Sequence, residues 1–155
     1  WGLMPLFVAG SPIVPNVELC PKTAKLLRQV PGLYGAIFSI LGPNTMLPQH
    51  RGEIDFILRG HLPIVIPERS AIKVGSEVRT WTPGKTLVFD DTHPHFAWNF
   101  GDETKVVLLI DFIPPEKRTG FDPERKRQIE RDVSDYARLF PEFSEYLLVP
   151  EEAAR

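Results

Sequence analysis

Four histidines are the residues of this 155-residue chain best suited to chemistry: His50 in Pro48-Gln49-His50-Arg51-Gly52, His61 inside an apolar run, and His93 and His95 on either side of Pro94. Neutral imidazole is a borderline ligand that suits iron, zinc or copper, and two imidazoles from different strands of a β barrel can meet on one ion. Spacing alone does not show that they do, and each histidine taken singly reads as a surface or hydrogen-bonded residue before it reads as a ligand. The run 54–66 sharpens the picture by alternating. One face carries Ile54, Phe56, Leu58, Gly60, Leu62, Ile64 and Ile66, and the other carries Asp55, Ile57, Arg59, His61, Pro63 and Val65. Arg59 and His61 therefore share a face. In a two-layer sandwich that face meets solvent, whereas in a small barrel enclosing a ligand it is the lumen, where a guanidinium beside an imidazole binds a carboxylate. Lys105 opens a later strand and Ser39 lies within an earlier one, and by themselves they read as a solvated lysine and a tolerated strand serine.

The elements that must position these groups are short and mostly β. Beta-rich runs at 35–41, 54–66, 71–74, 78–81, 86–89, 96–99 and 105–112 are separated by turn residues, with Gly75-Ser76 as a tight hairpin and Pro83-Gly84 as a second turn. So many short strands predict a sandwich or jelly roll. Residues 1–18, broken by Pro5, Pro12 and Pro15, read as an extended arm over the core. Pro21 then starts a short helix with Ala24, Leu27 and Val30 buried and Pro31-Gly32 as its stop. At the other end Asp122 and Pro123 signal an amphipathic helix over 122–140, with Ile129, Val133, Tyr136, Ala137 and Phe140 as its apolar stripe and a solvated charged face.

Composition bounds the rest. With 43% hydrophobic residues, 25% charged residues and a formal net charge of -2, the chain reads as one globular domain over 1–155 and not as a phosphate-binding nucleic-acid protein. The single cysteine, Cys20, excludes a disulfide framework and a thiolate zinc site, and it fits a reducing, cytoplasmic compartment. No aliphatic run is long enough to span a bilayer. The 16 prolines, scattered along the chain, exclude a helical bundle. Because the first residue is Trp1 and not Met, a segment ahead of it is expected.

The ordered stretches Leu19-Cys20-Pro21-Lys22-Thr23-Ala24, Pro48-Gln49-His50-Arg51-Gly52, Leu58-Arg59-Gly60-His61-Leu62 and Phe89-Asp90-Asp91-Thr92-His93-Pro94-His95-Phe96-Ala97-Trp98-Asn99 resemble the aspartyl/asparaginyl β-hydroxylase family over about 19–115. The resemblance implies a mainly β, cupin-like double-stranded β-helix (jelly roll) with a short N-terminal helix and a C-terminal amphipathic helix. It also implies an iron(II)- and 2-oxoglutarate-dependent dioxygenase that consumes O2. By the same resemblance His50 and His95 hold the iron, and Ser39 with Lys105, where the family commonly has arginine, takes the distal carboxylate of 2-oxoglutarate. Arg59 and His61 meet the cosubstrate or an acidic substrate group, and His93 is left as a surface or supporting residue.

Gly52 stands two residues after His50, where the usual facial triad places a carboxylate. Its absence favours the aspartyl/asparaginyl branch over the lipid-modifying one. The expected reaction is hydroxylation of the β-carbon of an aspartyl or asparaginyl residue or a related amino acid. The partner is then a small-molecule or peptide substrate with an acidic group. The rival readings are hydroxylation of a lipid or acyl chain, a non-catalytic metal-binding barrel and, more remotely, a halogenase.

Overall fold

From Gly2 to Phe112 the chain is dominated by short runs with a period of two, and it folds there into two antiparallel sheets facing one another. The computed structural model describes residues 1–118 and 123–146. In chain order the elements are β1 (Gly2–Val8), β2 (Ser11–Pro12), α1 (Val14–Leu19), α2 (Pro21–Leu27), β3 (Leu33–Leu41), β4 (Thr45–His50), β5 (Leu58–Val65) and β6 (Ser70–Val74). They continue with β7 (Glu77–Arg79), β8 (Leu87–Phe89), β9 (His95–Asn99), β10 (Lys105–Phe112) and α3 (Pro123–Leu139). One sheet has the order β2-β1-β3-β10-β5-β8 and the other β4-β9-β6-β7. This is the mainly β jelly roll that the sequence predicts.

Local turn chemistry places the hairpins where expected. Val74 pairs with Glu77 across Gly75-Ser76, with Gly75 at a φ of 56° that favours glycine. At the second turn Lys85 N–H donates to Thr82 O at 3.0 Å, with Gly84 at φ 75°.

Two expectations are corrected. Residues 1–18 are not an arm laid over the core, because β1 pairs with β3 from Gly2 to Phe7 and Leu6 is fully buried. The prolines are tolerated for separate reasons. Pro5 adjoins a register shift in β1, Pro12 lies in the two-residue edge strand β2, and Pro15 falls in the first turn of α1, where no N–H is needed. The predicted strand 54–66 begins only at Leu58. Phe56 and Ile57 are consecutive and both buried, which one face of a strand does not allow, and they pack instead under α3 with Val8, Ile13 and Ile129.

Three apolar clusters divide the work. Val17, Ala24 and Leu27 of α1 and α2 cover the outer face of the larger sheet at Leu6, Ala36 and Leu108. Ile129 and Val133 of α3 seat on the cluster formed around Phe56, and half-buried Tyr136 and Ala137 join them, as the helical stripe predicts. The helix-start residue Asp122 lies outside the described residues. Between the sheets, Ile72, Trp81, Ala97 and Val107 fill one part of the interior and leave the rest open.

A single side chain closes the end of the sandwich opposite the histidines. Asn99 is wholly buried; its amide donates to Leu41 O, Gly42 O and Glu103 O at 2.8–3.0 Å, while its oxygen accepts from Ser70 Oγ and Gly101 N–H. Replacing Asn99 with alanine strands several buried polar groups and is expected to cost about 3 kcal/mol. Urea unfolding checks this, and a loss within experimental scatter of zero would show that the network has no mechanical role.

Candidate active site

The smaller sheet brings two imidazoles together by means of an irregularity. Leu47 pairs with Ala97, but the next matched pair is His50 with His95, so β4 carries one extra residue around Pro48-Gln49. Without this bulge Gln49 would stand opposite His95; with it, His50 does. The two rings lie 4.2 Å apart between centroids. Each Nδ1 lies against a backbone carbonyl, that of Pro48 at 2.9 Å for His50 and that of His93 at 2.8 Å for His95. A carbonyl only accepts, so both Nδ1 atoms carry hydrogen and both Nε2 lone pairs remain free for a metal. Burial also lowers the His95 pKa, which keeps that ring neutral. His93 itself is exposed and contributes only its carbonyl.

All six residues singled out from the sequence, Ser39, His50, Arg59, His61, His95 and Lys105, line one cavity of about 380 Å³ between the sheets. Lys105 is 4% exposed, its Nζ lies 4.3 Å from the centre of the Trp81 ring, and among the described residues no carboxylate pairs with it. Burial alone pushes its pKa down to about 8. Ser39 lies on the same inward face of the adjacent strand, two residues from the partner of Lys105, and its Oγ accepts from Trp1 Nε1 at 3.2 Å. His61 stacks nearly parallel on Trp81, with an interplanar angle of 8°, and meets the edge of Phe89. Burial, then the charges of Arg59 and Lys105, hold His61 neutral, and its Nδ1 is buried without a partner.

Arg59 differs from the expectation of a guanidinium open to an acid. Its fork binds Asp111 through Nε and Nη2, both at 2.7 Å, and Nη1 pairs with Asp91 at 2.9 Å. Burial pulls its pKa down, but Asp111 and then Asp91 more than offset this, so the charge is permanent. The two aspartates were missed in the sequence. Asp111 shares the inward parity of Lys105 along β10, a signal available to strand alternation. Asp91 sits in a loop that has no such period.

Asp91 also explains Gly52. A methyl group at Gly52 would collide with the whole Asp91 carboxylate, and Gly52 N–H donates to Asp91 O at 2.8 Å. The space beside the residue two after His50 is therefore occupied by a carboxylate from another loop. Asp91 is almost fully buried, burial raises its pKa against the pull of Arg59, and its Oδ1 has no hydrogen-bond partner among the described residues.

A second, polar cavity of about 310 Å³ adjoins the first and shares Ile37, His50, Arg51, Arg59 and Tyr136 with it. Helix α3 forms its wall with Arg131, Asp132 and Asp135, and Tyr34 OH donates to Asp132 at 3.0 Å. Among the described residues no group of three or more His, Cys, Asp or Glu is arranged to hold a metal, so a metal here would have the imidazole pair as its protein donors. Two oriented Nε2 donors beside a buried ammonium would fit a divalent transition metal together with an acid that completes its coordination.

These features define a jelly-roll barrel with two facing imidazoles and a buried ammonium in the cavity between its sheets. The chain belongs to the aspartyl/asparaginyl β-hydroxylase family, whose model matches residues 1–115. It is 45% identical over 105 residues to an ornithine lipid ester-linked acyl 2-hydroxylase of Rhizobium tropici, covering 66% of this chain and 37% of that protein. It is 32% identical over 135 residues to the aspartyl/asparaginyl β-hydroxylase of Homo sapiens, covering 83% of this chain and 17% of the relative. The chain thus spans well under half the length of either relative. A cupin domain of a transcriptional regulator from Enterobacter cloacae aligns with a TM-score of 0.49 at 16% identity, over 73% of this chain and 96% of that one.

Replacing Gly52 with alanine is expected to cost about 2 kcal/mol of stability by driving Asp91 from Arg59. In an Asp91→Ala background the same change should cost little. A thermal-denaturation double-mutant cycle measures the coupling, and equal costs in both backgrounds would refute the steric account.

Proposed function

We propose that this domain is an iron(II)- and 2-oxoglutarate-dependent hydroxylase. The observation that carries the reading is the buried ammonium of Lys105, which has no carboxylate partner among the described residues and lines the same cavity as two imidazoles with free Nε2 atoms. His50 and His95 would hold the iron, and Lys105 with Ser39 would receive the distal carboxylate of 2-oxoglutarate. When bound, iron(II), 2-oxoglutarate and O2 supply the oxidising power that inserts one oxygen atom into a C–H bond, with succinate and CO2 as co-products.

The chain's own residues supply placement. Ile37, Leu41, Ile72, Val107 and Leu109 wall the cavity with apolar surface and exclude water. His61, wedged between Trp81 and Phe89, offers its unpartnered Nδ1 to the cosubstrate. Arg59 is a positioning residue that holds Asp91 beside the loop carrying His50.

For the substrate we favour an acyl chain over an acidic side chain. The relative at 45% identity is named for an acyl substrate, and the cation on which an acidic substrate would rest, Arg59, is answered inside the protein by two aspartates. The second reading, an aspartyl or asparaginyl residue, is supported by Gly52 in place of a carboxylate and by the relatives named for that activity.

Anaerobic addition of 2-oxoglutarate to the iron(II)-loaded protein is expected to give a metal-to-ligand charge-transfer band, lost in His95→Ala. Aerobic incubation with acyl-lipid and aspartyl-peptide substrates is then followed for a mass gain of one oxygen atom. Absence of both the band and succinate would leave the non-catalytic metal-binding barrel.

Lys105 sets a pH signature. Its pKa of about 8 in the unliganded site must rise when a carboxylate binds, so binding takes up a proton above that pH. Affinity for 2-oxoglutarate should be flat below about pH 8 and then fall by up to about tenfold per pH unit, whereas Lys105→Arg should stay flat. Calorimetric titration across that range decides it, and a flat wild-type profile would exclude Lys105 as the receiving charge.

A further inference from the structure

The outer face of the larger sheet carries an apolar surface that the hydroxylase reading does not use. The strand register places Met4, Phe38, Ile40, Leu62, Val65 and Val88 on this face, opposite the inward-facing residues of β1, β3, β5 and β8, and none is charged. Helices α1 and α2 cover its centre through Val17, Ala24 and Leu27, against which Met4, Phe38 and Leu62 are partly buried. Beside that cover, Ile40, Val65 and Val88 remain exposed, each in the outward register of its strand. The helices expose apolar residues of their own, Leu19 at 73% and Leu26 at 66%. Scattered exposed leucines are ordinary, but here five apolar side chains lie on one sheet face and the helices that cap it.

Charge selects the occupant. From Val14 to Leu27 and on to Arg28 the helical pair carries Lys22, Lys25 and Arg28 against Glu18 alone, a local excess of two positive charges in a chain whose formal net charge is -2. Lys22 and Lys25 are exposed beside Leu19 and Leu26. A second copy of this chain would set like charges against one another, whereas an anionic bilayer answers the lysines and accepts the leucines below its headgroups. No helix among the described residues is long and apolar enough to cross a membrane, so the contact is peripheral.

We propose that the face formed by α1, α2 and the outer surface of the larger sheet docks on an anionic lipid bilayer, with Leu19 and Leu26 inserted and Lys22, Lys25 and Arg28 at the headgroups. Ile40 pairs with Gly2, next to Trp1, which lines the cavity and donates to Ser39. Docking rests on the surface alone; only its use, delivering an acylated lipid to the site, rests on the substrate reading above.

Co-sedimentation of the protein with phosphatidylcholine vesicles, with and without phosphatidylglycerol, tests the proposal. Binding is expected only with the anionic lipid and is weakened by salt. Lys22→Glu/Lys25→Glu and Leu19→Asp/Leu26→Asp should each raise the lipid concentration for half-binding by about tenfold or more while circular dichroism and iron(II)-dependent 2-oxoglutarate binding stay unchanged. Equal binding to neutral vesicles, or no binding to either, overturns it. A concentration-dependent dimer abolished by the leucine variants also overturns it, in favour of a second copy. Vesicle binding without acyl hydroxylation would sink the substrate reading and leave the docking face standing.

Discussion

The bidentate pair between Arg59 and Asp111, extended by Asp91, is the interaction on which the site depends. Its members come from β5, β10 and the loop before β9, and they meet where the barrel has been kept open. Taking three charges out of water is costly and is compensated only when the geometry is near ideal, as the two 2.7 Å contacts to Asp111 are. One guanidinium answers two carboxylates, so the cluster keeps a residual negative charge beside His50 and His95. That charge favours a cation nearby. Burial raises the Asp91 pKa despite the contact with Arg59, and Asp111 and Asp90 add to the rise.

Gly52 and Pro48 then act as a matched pair of constraints on the loop. The bulge at Pro48-Gln49 rotates His50 inward, and two residues later the chain must pass so close to Asp91 that only glycine fits. A carboxylate cannot arrive from the strand that carries His50, because one already fills that space from elsewhere. A missing triad acid and a buried aspartate are therefore one structural fact seen from two loops.

What the sequence made legible follows the range of the forces involved. Gly75-Ser76, Pro83-Gly84 and the bounds of β10 depend on neighbours a few residues away and are found as read; of the stripe, Ile129, Val133, Tyr136 and Ala137 lie on α3 as read, but the helix stops at Leu139 and Phe140 lies beyond it. Beta-strand alternation also put Arg59 and His61 on one face, and the structure turns that face to the cavity. Strand β4 was not foreseen because a one-residue bulge breaks the very period used to find strands, and β1 was hidden by prolines that happen to sit at a bulge, an edge and a helix start. The ion pairs were beyond reach for a different reason: Arg59 and Asp111 are 52 residues apart, and no local pattern announces such a partnership.

Burial without satisfaction gives the strongest physical argument that the open interior is a binding site and not poor packing. The buried side-chain atoms without partners among the described residues are His61 Nδ1, Trp81 Nε1 and Asp91 Oδ1. Each such group costs about 1–3 kcal/mol, and the charged one more. Scattered over a domain they would be ordinary imperfections. Here His61 and Trp81 are stacked on each other, Lys105 lies over the same indole, and Asp91 is held by the arginine that borders both cavities. A fold selected only for stability would replace these residues with aliphatic ones, as it has done at Ile72 and Val107 a few ångströms away. Concentrating the unfavourable terms in one place makes sense when a ligand returns that free energy on binding, and an acid chelated to a metal can meet the ammonium and the imidazoles together.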